Sequence, residues 1–73
     1  MVGKNVHVVP TDFRWAVQYE GGGDREVFET QSEAFAYGTD IARRDKVQVL
    51  LYGRDGKIQM RQSFGNDPHN MKG

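Results

Sequence analysis

The chain has 73 residues, with ten basic and ten acidic side chains, two histidines, no cysteine and a pI near 6.7. That length allows one domain, and the lack of cysteine excludes the disulfides and thiolate metal sites that often staple chains of this size. A core this small supplies only about 3–5 kcal/mol of net stability, so tight packing or self-association is left to hold the fold.

The charge balances in total but not along the chain. Residues 1–40 carry three basic and seven acidic side chains, a balance of −4, whereas residues 43–61 carry six basic and two acidic, a balance of +4. Such separation marks a polyanion site or mutually attractive ends, and more commonly just a solvated surface. Met1-Val2-Gly3-Lys4 leads into a strand pattern without the apolar core of a signal peptide. No run is long enough to cross a bilayer, and the cytoplasm is the expected location.

Val6-His7-Val8-Val9 reads as a short β-branched strand stopped by Pro10. After Thr11-Asp12-Phe13, the residues Trp15, Val17 and Tyr19 alternate with Ala16, Gln18 and Glu20, a period-two strand. Gly21-Gly22-Gly23-Asp24 supplies a turn, and Glu26 to Glu29 a third, shorter strand. Thr30-Gln31-Ser32-Glu33 is a capping box. It opens a helix over 31–44 on which Ala34, Gly38, Ile41 and Ala42 share a face. Gly38 costs about 0.8–1 kcal/mol relative to alanine inside a helix, which implies that the backbone there approaches the sheet closely. Arg43 and Arg44 complement the dipole in the last turn. Val47, Val49 and Leu51 alternate with Gln48, Leu50 and Tyr52 in the best core strand. Gly53-Arg54-Asp55-Gly56 has hairpin-turn chemistry, and Lys57 to Gln62 returns with Ile58 and Met60 on one face and Gln59 and Arg61 on the other.

The predicted order is β-β-β-α-β-β, an α+β domain over residues 1–64 with an irregular tail over 65–73. A strand–helix–strand passage favours a parallel crossover in an otherwise antiparallel sheet. One helix covers only one face, so Val6, Val8, Trp15, Val17, Val49 and Leu51 are expected beneath it and the other face is left open.

Three stretches read together carry a resemblance: Lys4 to Pro10, Gly53 to Gln59, and Gly65-Asn66-Asp67-Pro68 with Lys72-Gly73 at the end. With Trp15 and the capped helix, they make the chain similar to the small bacterial proteins grouped as domain of unknown function 2188. Thr11-Asp12-Phe13-Arg14 departs from the glycine-containing turn of that pattern, and His69-Asn70-Met71 from its proline-rich ending. The resemblance implies a compact bacterial cytosolic domain and brings no catalytic residue.

The chemistry-bearing residues are sparse. Ser32 belongs to the capping box, Ser63 follows a strand, and His7 has no nucleophile at a recognisable spacing. A metal site would have to combine His7 with Asp67 and His69, without close ligand spacing. The triglycine lacks the Gly-Lys-Ser/Thr ending of a phosphate loop. No enzyme, cofactor or metal is expected. Binding is the better class: the open face is expected to show His7, Val9, Gln18, Gln48, Leu50, Tyr52, Gln59 and Arg61, with Val9, Leu50 and Tyr52 as an apolar centre. The expected partner is a protein or a second copy of the chain, as a homodimer. The alternative is nucleic acid held on the basic 54–61 hairpin, with Arg54 and Lys57 on phosphates, against a zero net charge. A plainer expectation is that the tail covers Val9, Leu50 and Tyr52 through Phe64.

Overall fold

A computed structural model describes residues 4–65. The tail assigned to 65–73, apart from Gly65, and the Asp67 and His69 of the weighed metal site lie outside these described residues.

Five strands and one helix follow the predicted order: β1 (Val6–Pro10), β2 (Trp15–Tyr19), β3 (Arg25–Phe28), α1 (Gln31–Asp45), β4 (Gln48–Tyr52) and β5 (Ile58–Ser63). The strands form one sheet in the order β3-β2-β1-β4-β5. β1 and β4 are parallel, and every other neighbouring pair is antiparallel. The crossover through α1 accounts for the single parallel pair, because a strand that follows a helix packed on the sheet re-enters it in the direction of its neighbour.

Local chemistry sets the boundaries. Thr30 is in extended conformation, and its hydroxyl accepts the Glu33 N–H at 3.1 Å, which satisfies one orphan donor of the first turn. The helix ends at Lys46, a left-handed residue (φ 58°) whose N–H bonds the Ala42 carbonyl. Gly21, Gly22 and Gly23 all have positive φ, between 92° and 108°. No other residue type would take that path without strain, so the triglycine is a backbone requirement of the β2–β3 turn.

The core lies between α1 and one sheet face. Val6, Val8, Val17 and Val49 are fully buried, and Ala34, Gly38, Ile41 and Ala42 meet them from the helix. A Cβ on Gly38 would stand 3.1 Å from Val8 Cγ2 and 3.3 Å from Val6 Cγ1. The absent side chain is therefore what brings helix and sheet into contact. Leu51, Trp15 and Val47 close the cluster, with Phe28, Phe35 and Phe64 packed around it. The helix packs over β1, β2, β4 and β3, whereas every residue of β5 is exposed.

The last strand differs from its predicted register. Leu51 faces Met60 but Tyr52 faces Ile58, so Gln59 is an extra residue, a bulge. Two residues on the bulged strand then share the face of one on its partner. Gln59 consequently joins Met60 on the helix side, where its Oε1 accepts from Gln31 Nε2 at 3.1 Å. Ile58 turns to the open side beside Tyr52. The alternation expected from Lys57 to Gln62 is reversed before the bulge and kept after it.

Candidate interaction face

On the sheet face away from α1, the strand register arranges side chains in rows perpendicular to the strands. Arg25 stands opposite Gln18, Gln18 opposite His7, His7 beside Leu50, and Leu50 opposite Arg61. This row spans about 19 Å at ordinary strand spacing and ends in an arginine on each side. Two residues along, Val27 is opposite Ala16, Ala16 opposite Val9, and Tyr52 opposite Ile58. Carrying the β1–β4 register one residue past Val8 and Leu51 sets Val9 beside Tyr52. The second row is apolar from edge to edge: Val27, Ala16, Val9, Tyr52 and Ile58.

These apolar residues are not equally available. Ala16 is fully buried between its neighbours, and Val9 and Tyr52 are half-buried. Val27 and Ile58, at the two ends, are each 44% exposed. Leu50, expected at the apolar centre, is only 8% exposed, because His7 and Arg61 flank it in its own row. Phe64, the residue through which the tail is expected to cover this face, lies on the other side of the sheet. Phe64 packs against the helix-side core, with the Arg43 guanidinium 5.4 Å from its ring centroid.

His7 Nδ1 and the Tyr52 hydroxyl are 3.1 Å apart, with their rings tilted against each other. They line a shallow depression of about 450 Å³ with Val9, Gln18 and the glycine turn. A smaller one, about 220 Å³, lies between Tyr19, Tyr37 and the β3 edge. There burial, followed by the neighbouring Tyr37, pushes the Tyr19 phenol above its ordinary pKa. Among the described residues no three His, Cys, Asp or Glu gather as metal ligands, and no helix is long and apolar enough to cross a membrane.

In the basic hairpin, Arg54 makes contacts to the neighbouring turn. Arg54 Nη1 donates to the Thr11 carbonyl at 2.8 Å and the Asp12 carbonyl at 3.3 Å, and its guanidinium lies 4.7 Å from the Trp15 ring centroid. It ties the β4–β5 turn to the β1–β2 turn. These hydrogen bonds use Nη1 alone, and the residue stays exposed. Gln59 is a correction to the expected face: the bulge takes it off the open side. Lys57 is exposed at the turn, and Gln48 and Arg61 flank Leu50 on the open face as expected.

The family model described as an uncharacterized protein conserved in bacteria (DUF2188) matches residues 6–64. The chain belongs to this family. No curated protein and no solved structure matches it. The match runs from the first residue of β1 to Phe64, so the DUF2188 unit contains the whole sheet, the helix and both rows of the open face. Arg25, Val27 and Ile58 of this DUF2188 domain escaped the sequence reading as face residues. For Arg25 and Val27 the signal was present, since they alternate with Glu26 and Phe28. For Ile58 it was not, since a bulge leaves no mark in hydropathy alternation.

Proposed function

We propose that this domain is a non-enzymatic, cytoplasmic interaction module that associates with a second copy of itself through the open sheet face. The observation that carries the reading is the apolar row from Val27 to Ile58, whose two ends are 44% exposed while its flanking row is polar and cationic. An apolar strip inside a polar rim is how association surfaces are built. The free edges are the rival surface, and both are guarded. β5 carries a bulge and Arg61, with Lys57 just before its first residue, and β3 is four residues long with Arg25 and Glu26; such devices discourage edge-to-edge pairing. The non-enzymatic part rests on the openness of the His7–Tyr52 depression, since acid–base or nucleophilic chemistry works best in a site that excludes water.

Sedimentation velocity over a concentration series tests this. The weight-average mass should rise from monomer toward dimer, and Ile58→Glu should hold it at monomer. A mass that stays monomeric at every concentration refutes the proposal. So does a gain in mass seen only with added oligonucleotide and abolished by salt, the behaviour of a phosphate-binding surface.

A further inference from the structure

Resting on that reading, we infer that the two copies pack face to face about a two-fold axis running along the apolar row, so that Arg25 of each copy meets Glu29 of the other. Two axes in the plane of the interface superpose the apolar row on itself, and the charges separate them. An axis parallel to the strands keeps each row over its own row and exchanges the two sheet edges. Arg25 would then lie over Arg61 of the second copy, two cations in contact at both ends of the interface. An axis along the apolar row instead keeps each strand over its own strand and exchanges the rows on either side. The row of Arg25, Gln18, His7, Leu50 and Arg61 then falls on the residues two steps beyond the apolar row.

Those residues are known from the same register. Trp15 pairs with Phe28 and Pro10 with Trp15, so the next open-face positions are Glu29, Arg14 and Thr11. Arg14 Nε and Glu29 Oε2 are 3.3 Å apart, and both side chains are largely exposed. Beneath β3, Arg25 would therefore approach a carboxylate already held in place by Arg14. Beneath β5, Arg61 would approach the turn that carries Arg54 and Lys57 as well as Asp55, so the preference between the axes comes from the β3 edge. Opposite charge replaces like charge at the β3 edge, and the polar middle of each row, Gln18 and His7, faces Arg14 and Thr11.

The size of the face sets the strength. Five strands of about five residues make a surface roughly 24 by 17 Å, well short of the ~800 Å² per partner of a standard stable interface. The dimer is thus of the weak, concentration-dependent kind, and rim charges weigh proportionately more in it.

Charge reversal decides between the axes. Arg25→Glu should weaken dimerisation about tenfold, since each dimer holds two such contacts and an exposed ion pair contributes several-fold. Glu29→Arg should do the same, and the chain carrying both reversals should dimerise close to wild type. The melting temperature of each variant, read alongside, separates a lost contact from a lost fold. If Arg25→Glu tightens the dimer, the strand-parallel axis is the right one and the inference falls while the open-face reading stands. If the double reversal fails to recover association in a folded chain, the Arg25–Glu29 contact is refuted. A wild-type chain that never dimerises removes the open-face reading itself, and Ile58→Glu identifies that case independently of any charge.

Discussion

Replacing Arg54 tests whether its cation serves the fold or the solvent. Its guanidinium donates to two carbonyls of the β1–β2 turn, at 2.8 and 3.3 Å, and stacks 4.7 Å from the centroid of Trp15, which is only 8% exposed. Stacking on tryptophan contributes about 0.5–1 kcal/mol at an exposed site. Charged hydrogen bonds to carbonyls add about 1.5 kcal/mol at the low end that partial exposure dictates. Arg54→Ala should therefore cost about 2 kcal/mol. In a domain of this size that lowers the melting temperature by roughly 8–15 °C. Arg54→Lys keeps the charge but not the planar fork, and should recover less than half of the loss. The assay is thermal unfolding followed by circular dichroism and by Trp15 fluorescence, with Trp15→Phe completing a double-mutant cycle whose coupling isolates the stacking contact. A melting temperature within about 2 °C of wild type for Arg54→Ala, with coupling near zero, would refute the latch. It would return Arg54 to the set of free cations on the hairpin.

Two further outcomes follow from the packing and the phenols. Gly38→Val sets a Cβ 3.1 Å from Val8 Cγ2, 3.3 Å from Val6 Cγ1 and 3.5 Å from Val49 Cγ2, and adds two methyl groups to it; urea denaturation should show a loss of about 1–3 kcal/mol, net of a small gain in helix propensity. A stability equal to wild type would mean that the helix stands off the sheet. For Tyr19, the folded-state pKa is raised by burial and by Tyr37, so the native state favours the protonated phenol. Its contribution is intact below the unfolded value of about 10 and is lost as pH rises through the folded value. Stability measured above pH ~10 should fall less steeply in Tyr19→Phe than in wild type, and identical slopes would exclude the effect.

How far the sequence reveals this fold depends on where packing follows chain-local rules. The capping box, the helix face of Ala34, Gly38, Ile41 and Ala42, and the strands at Val6, Trp15 and Val49 obey hydrogen-bond and periodicity constraints that act within a few residues. They are legible for that reason, as is the close approach at Gly38, since a costly glycine in a helix needs a cause. A parallel strand after the crossover was legible, but its pairing with β1 and the rest of the strand order were not. They depend on contacts between residues more than forty positions apart, such as Gln48 N–H with Asn5 Oδ1 at 3.1 Å, to which local propensity is blind. The contacts of Arg54 were invisible for the same reason: its partners, Thr11 and Asp12, are distant in sequence, and a turn arginine looks unattached until the other turn is beside it.

The bulge at Gln59 explains why the candidate face was only half visible. One extra residue in β5 lets the Gln59 carboxamide reach the first turn of α1, where Gln31 Nε2 lies 3.1 Å from Gln59 Oε1 and 3.3 Å from the Tyr52 carbonyl. That bridge fixes the helix N-terminus to the β4–β5 hairpin and satisfies polar groups at the end of the core. The same extra residue rotates Ile58 outward and completes the apolar row next to Tyr52. A strictly alternating β5 would place Ile58 on the helix side with Met60 and leave Gln59 outside, giving a polar end to the row at that edge. A single local irregularity therefore both secures the helix and exposes the apolar terminus of the face, and the two effects cannot be separated by sequence pattern, because alternation assigns every residue of a strand from its neighbours and a bulge breaks the count.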